Sequence, residues 1–219
     1  MSFDFSEITN NGGYLLEGLS YSAQLTGFAM SIGIVAGSLL AMARLSSIKG
    51  LSLAASGYVN LFRSLPLVLV IFWFYFLVPM VYGEPVGADR SAYITFSVFE
   101  AAYYCEIIRA GIQSISRGQV SAGQAVGFTY WQNMRYVVLP QAFRNVLPLL
   151  LLQTIILFQD TSLVYVVGAT DFLGSADKIG HRDSALKEMY SFVAVSYLAI
   201  SFILSTLVKK LHQRIAVIR

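Results

Sequence analysis

Residues 117–140 read RGQVSAGQAVGFTYWQNMRYVVLP, a polar stretch set between long apolar runs. Helices of a bundle are usually joined by roughly 2–8 residues, so a longer connection has some further task. Its residue types suggest order rather than slack. Residues 120–126 fit one short helix, and Gly127 permits the left-handed turn that would end it. Thr129 suits the N-cap of a second short helix over 130–136. Two short helices at an angle make a compact knob. Phe128, Tyr130 and Trp131 would then serve as anchors in a partner's groove, as large aromatics do at interfaces. The alternative is an amphipathic pair lying on lipid headgroups, with Trp131 in the interfacial belt.

The flanking runs set the class. The chain has 219 residues, 56% of them hydrophobic and 12% charged. Its mean hydropathy is +0.64. A soluble domain carries about 25% charged residues, so this is an all-α membrane protein. Five stretches are long and apolar enough for transmembrane helices of ~20 residues: 22–45, 65–82, 92–112, 146–167 and 190–208. Pro66 and Pro79 fall near the ends of the second. Pro140 and Pro148 precede the fourth, where a residue without a free N–H bends or starts a helix. Cys105 has no cysteine to pair with and reads as a small packing residue.

Basic residues fix the orientation. Arg44, Lys49 and Arg63 lie between the first and second spans. Arg109, Arg117, Arg135 and Arg144 flank the third connection, and Lys209, Lys210, Arg214 and Arg219 follow the fifth span. No Asp or Glu interrupts those segments, whereas Arg90, Lys178, Arg182, Lys187 and most acids fall on the other side. The positive-inside rule therefore puts the N-terminus outside, and the C-terminus and residues 117–140 in the cytoplasm. The basic excess follows this topology and does not imply nucleic acid as a partner. Residues 1–43 hold no Lys or Arg, so no cleavable leader is expected. The domain reading is an external arm or interfacial helix over 1–21, a transmembrane domain over 22–210 and a cytoplasmic tail over 211–219. The external connection from Gly168 to about Met189 reads as an ordered loop or short helix for a partner outside, or as a solvated connector.

Absent motifs narrow the function. There is no P-loop, so the chain itself is not expected to bind ATP, and there is no HExxH, CxxC or GxSxG. His181 and His212 fall outside the spans on opposite sides, where neither serves as base to a serine within the membrane. No catalytic residue, metal or cofactor is expected in this chain. Within the spans, Glu100 stands out, because an ionised acid at a span centre costs about 2.5–3.5 kcal/mol. Tyr103 and Tyr104 follow on the same helix face. Gln159, Asp160, Thr161 and Ser162 interrupt the fourth span, so they should face a cavity or a helix partner. Glu106 and Arg109, three residues apart, suit a structural ion pair.

The spacing Ser121-Ala122-Gly123, Gly127, Val137-x-Leu139-Pro140 resembles the EAA loop of ABC importer permeases, which runs E-A-A, three residues, G, nine residues, I-x-L-P. Here Ser121 replaces the Glu and Gly123 the second Ala. Phe62-Arg63-Ser64-Leu65-Pro66-Leu67, the 106–115 segment EIIRAGIQSI, Arg117-Gly118-Gln119, the 139–144 segment LPQAFR and Asp160-Thr161-Ser162-Leu163 resemble, in order, segments of amino-acid-type permeases. The glutamate/aspartate importer permeases are the most similar. The literal Glu100-Ala101-Ala102 lies inside the third span without the downstream spacing and is not the motif.

This resemblance implies a type I ABC importer permease fold in the bacterial inner membrane. It implies a similar or identical second permease, two ATPase subunits carrying ATP-Mg and a periplasmic substrate-binding protein. Gly118, Gln119, Ser121, Ala122, Gly123, Gly127, Trp131, Leu139 and Pro140 would form the ATPase-coupling surface. Arg63, Glu100, Tyr103, Tyr104 and the 159–162 cluster are the candidates for the substrate path. Glu100 would take a substrate's ammonium group or pair with a neighbouring Arg. Arg63 would attract a dicarboxylate or merely anchor the membrane edge. Two rival functions remain. An ion-gradient-driven secondary transporter subunit would share Glu100 but has no use for a docking loop. A scaffold would use the loop but not the polar groups in the spans.

Overall fold

The structure, a computed structural model, describes residues 6–215. Residues 1–5 of the expected arm and residues 216–219 of the tail, with Arg219, lie outside the described residues. The chain is helical, with no strand among the described residues. A short α1 (Ser6–Asn10) leads into α2 (Gly12–Leu45) and α3 (Lys49–Arg63). Then come α4 (Leu67–Phe72), a π-turn over Trp73–Leu77 and α5 (Val78–Tyr82). The central α6 (Ala88–Gln113) is followed by α7 (Arg117–Ala125) and α8 (Tyr130–Asn133). A π-turn over Met134–Val138 joins α8 to α9 (Leu139–Asp160), and a 3₁₀ stretch over Thr161–Val167 follows. The chain closes with α10 (Phe172–Arg182) and α11 (Leu186–Ile215).

Among the described residues, three helical stretches are long and apolar enough to cross a bilayer: Gly12–Leu45, Tyr130–Val167 and Leu186–Arg214. The pair Lys49–Arg63 and Leu67–Val81, bent by 105°, would make a fourth. Apolarity does not single out α6, where a fifth span is expected. The reason is its position. Ser91, Thr95, Ser97, Glu100, Ala101 and Ala102 are all buried on it, so protein rather than lipid surrounds much of its surface. The outer surface of the molecule is apolar instead, with Val35, Leu53, Met80, Val81, Leu198 and Phe202 largely exposed. Such a surface suits lipid or partner helices and not water.

Residues 12–21 continue the helix of residues 22–45 rather than forming a separate arm. At 34 residues, α2 extends well beyond a bilayer core of ~30 Å at 1.5 Å per residue. Its buried face carries Ala29, Gly33, Gly37 and Ala41 at every fourth position. That small-residue ladder brings α2 against α6 closely enough that a Cβ at Gly37 would lie 2.8 Å from the Cys105 backbone nitrogen. The main core gathers Leu25 and Ala29 of α2, Val70 and Ile71 of α4, Phe96 and Phe99 of α6, and Leu157 of α9.

The prolines behave differently from expectation. Tyr130–Val167 runs as one helical stretch through both Pro140 and Pro148. Pro140 lacks the N–H for a helical bond and its ring crowds the preceding turn. Widening that turn accommodates it, and the Leu139 N–H donates to Met134 O, five residues back. The π-turn before Pro79 is built the same way, with the Val78 N–H donating to Trp73 O. Only Pro66, capping α4, stands at the sharp bend.

Candidate functional site

The knob forms, with two differences from expectation. Its first helix starts at Arg117, three residues before 120. Its second does not end near residue 136 but passes through the π-turn into α9. The knob is therefore the end of a long rod, not a pair of separate helices.

Its corners are tightly specified. Gly127 has φ +85°. Its N–H donates to Gln124 O at 2.9 Å, and the Phe128 N–H donates to Gly123 O at 3.0 Å. Those two bonds make a Schellman ending for α7. Thr129 Oγ1 accepts from the Gln132 N–H at 3.3 Å, and the Thr129 N–H donates to Gln132 Oε1 at 2.9 Å. This capping box satisfies donors at the start of α8. Ile115, Val138 and Ala142 form a small core at the base. Asn145 Nδ2 donates to Ser114 Oγ at 3.0 Å and ties the end of α6 to α9.

The surface is unusually apolar for one at a polar loop. Trp131 is 77% exposed and Tyr130 70%. Val126 and Tyr136 are also exposed, and Phe128 lies at the margin. Gly118, Gln119, Ser121, Ala122, Gly127, Leu139 and Pro140 are exposed, whereas Gly123 is buried. A Cβ at Gly123 would overlap Asn133 Oδ1. Most of the expected coupling residues thus share one accessible knob, while Gly123 packs inside it.

In the bundle, Glu100 is 1% exposed and both its carboxylate oxygens accept from Gln153 Nε2 of α9, at 3.3 and 3.2 Å. Tyr103 and Tyr104 diverge. The Tyr104 hydroxyl meets Thr154 Oγ1 at 2.9 Å, with its ring against Gly33. Tyr103 lies under the Arg63 guanidinium, 5.6 Å from ring centroid to Cζ. Arg63 thus sits over Tyr103, one helical turn from Glu100 on α6, so three of the path candidates share one neighbourhood. Residues of the 159–162 cluster bond elsewhere. Gln159 Nε2 donates to Ser201 Oγ of α11 at 2.9 Å, and Thr161 Oγ1 donates to Phe158 O at 2.7 Å. The helix changes to 3₁₀ at Thr161, yet the Asp160 side chain makes no capping bond there. Ser162 is half-buried beside it.

Glu106 pairs with Arg109 as its spacing suggests. It also accepts from Arg44 Nη1 of α2 at 2.5 Å, with Arg63 Nη1 at 4.0 Å. In the sequence Arg44 reads only as a topology marker, and the fold is what links it from α2 to α6. Gln153 and Thr154 are polar residues in an apolar run and were readable as such. Asn133 gives no signal in the sequence beyond its place in the loop. The connection after Gly168 holds α10, capped by Asp171, whose oxygens accept from the Leu173 and Gly174 N–H groups at 3.0 and 2.9 Å. The Phe172 N–H donates to Ser22 Oγ at 3.2 Å, docking α10 on α2. No cluster of metal-ligating residues occurs among the described residues.

Comparison with known proteins shows the family and the fold. A family model described as the binding-protein-dependent transport system inner membrane component matches residues 33–217. The glutamate/aspartate import permease protein GltK of Escherichia coli O157:H7 is 50% identical over 221 residues, covering 98% of this chain and 99% of that protein. The glutamine transport system permease protein GlnP of Escherichia coli (strain K12) is 32% identical, covering 100% of both. The crystal structure of an amino acid ABC transporter with histidines matches with a TM-score of 0.93 at 32% identity, over 98% of this chain and 100% of that one. An inward facing MetNI methionine ABC transporter shares the fold, with a TM-score of 0.74 at 21% identity.

Proposed function

This chain belongs to the family of binding-protein-dependent transport system inner membrane components, and from that premise we propose that it is the permease subunit of an ATP-driven importer of glutamate and aspartate. The 50% identity to GltK over nearly the full length of both chains supports the substrate class. The reading includes five spans, with α6 as the third at the bundle centre, the N-terminus outside and the knob in the cytoplasm. The assembly pairs this chain with a similar or identical permease. Two ATPase subunits carrying ATP-Mg bind below, and a periplasmic binding protein delivers substrate above.

The observation that carries the mechanism is the continuity of the knob with α9. Tyr130–Val167 is one helical stretch of 38 residues. A push on Trp131 is transmitted along it to Gln153, which holds Glu100. Moving α9 against α6 therefore changes the polar contacts around Arg63, Glu100, Tyr103 and Asp160, where a zwitterionic acid would pass. In this reading the rod swings between two positions, and alternating access follows from that swing. The subunit does no chemistry and converts nucleotide-driven motion into exposure of the path to one side and then the other.

Reconstitution with the ATPase and binding protein in proteoliposomes tests this. Uptake of labelled glutamate is expected only with ATP inside the compartment the knob faces. Uptake driven by an ion gradient alone, without the ATPase, would overturn the reading in favour of a secondary transporter.

A further inference from the structure

Asn133 lies outside the family motif, yet its side chain is buried inside the knob, 4% exposed. Its Nδ2 donates to Val120 O of α7 at 2.7 Å. Its Oδ1 is buried with no hydrogen-bond partner. A buried orphan oxygen is rare and needs a reason. The reason here is contact with Gly123. A Cβ built at Gly123 would overlap that oxygen and come within 2.8 Å of Asn133 Cγ and 3.0 Å of Nδ2. Gly123 cannot retreat, because its carbonyl holds the Phe128 N–H at the Schellman end. The EAA pattern places Ala at this position, and that methyl fits only if the Asn133 carboxamide is displaced and its bond to Val120 O disturbed. The departure at Gly123 is thus matched by the carboxamide at Asn133.

We propose that Asn133 is a positioning residue that sets the angle between α7 and the α8–α9 rod, and that Gly123 is the partner that gives it room. The proposal rests on the coupling role of the knob argued above. Through Val120, Asn133 fixes α7 in one direction, and through Gly123 it limits approach in the other. A knob held from both sides passes motion to α9 instead of rocking on it.

A double-mutant cycle of G123A and N133S tests this in the complete transporter, reading glutamate transported per ATP hydrolysed. The melting temperature of the permease alone is measured beside it. G123A is expected to lower transport per ATP roughly five- to tenfold, within the range of coupling mutations. In the N133S background the same substitution is expected to have no further effect, in coupling or in melting temperature. Equal loss in both backgrounds, or no loss in either, would overturn the pair. If G123A impairs assembly, the melting temperatures still decide, since the methyl is destabilising only beside the carboxamide. A wild-type transporter working without its ATPase would sink the coupling role instead, and the melting cycle would stand apart from that result.

Discussion

Gly127 shows how one residue carries an element. At φ +85° it occupies a region where a side chain is strained, although a Cβ there would meet nothing within 4 Å. Replacement by Val therefore acts through the backbone, at about 1–3 kcal/mol, and not through a clash. The G127V variant is expected to unwind the Schellman turn and release the ATPase on co-purification. Wild-type retention would show that the turn does not shape the docking surface. Asp171, the N-cap of α10, is expected to make stability depend on pH. Burial pushes its carboxyl from 3.8 up to about 6, against the pull of the Gly174 and Leu173 N–H groups and of Lys178. Folding thus favours the protonated form. Its contribution is whole below the unfolded value near 3.8 and is lost as pH rises through 6, by about 2–3 kcal/mol for a shift of this size. The melting temperature of the purified protein should fall across that window, and D171N should flatten the fall. An unchanged slope in D171N would assign the titration elsewhere. Both residues illustrate a limit of reading sequence. Gly127 was legible because only glycine accepts its turn, whereas nothing along the chain tells that Asp171 is buried by α2 and α11.

Helix packing sorts the legible from the illegible in the same way. The knob's first helix, the glycine turn and the Thr129 cap all rest on local backbone chemistry, and each is found in the structure. The second helix runs past its expected end, because the merger with α9 depends on a π-turn absorbing Pro140, which no local rule announces. Glu100 and the Glu106–Arg109 pair were visible as charges in apolar surroundings. Their partners Gln153 and Arg44 come from other helices and needed the fold. The ladder Ala29, Gly33, Gly37 and Ala41 was in plain view as a period of four, yet only the fold gives it α6 as a partner. Enlarging Gly37 to Val drives atoms into the α6 backbone, where Ala101 O would lie 3.0 Å away. Overpacking of this kind costs about 1–3 kcal/mol. Detergent unfolding should show that loss for G37V and a much smaller one for G27V, where a Cβ meets nothing within 4 Å. Equal effects would mean that α2 and α6 do not pack through this face.

The chain is a bundle with an apolar exterior, a polar seam between α6 and α9, and a rod that ends in the knob. Composition alone gave the membrane class, while the spread of Arg and Lys gives an expected direction that the labelling below tests. The central α6 was legible as the apolar run over 92–112, whereas its burial in protein, with Ser91, Thr95, Ser97 and Glu100 enclosed, needed the fold. The mechanical reading requires that the exposed aromatics of the knob meet a motor in the cytoplasm. Cys105 is the single cysteine and is buried, so C105A gives a clean background. The most direct measurement is labelling of W131C in that background with a membrane-impermeant maleimide, in intact cells and in inside-out vesicles. The account predicts labelling only in the vesicles, suppressed when the ATPase subunits are bound. Labelling of intact cells from outside would contradict it.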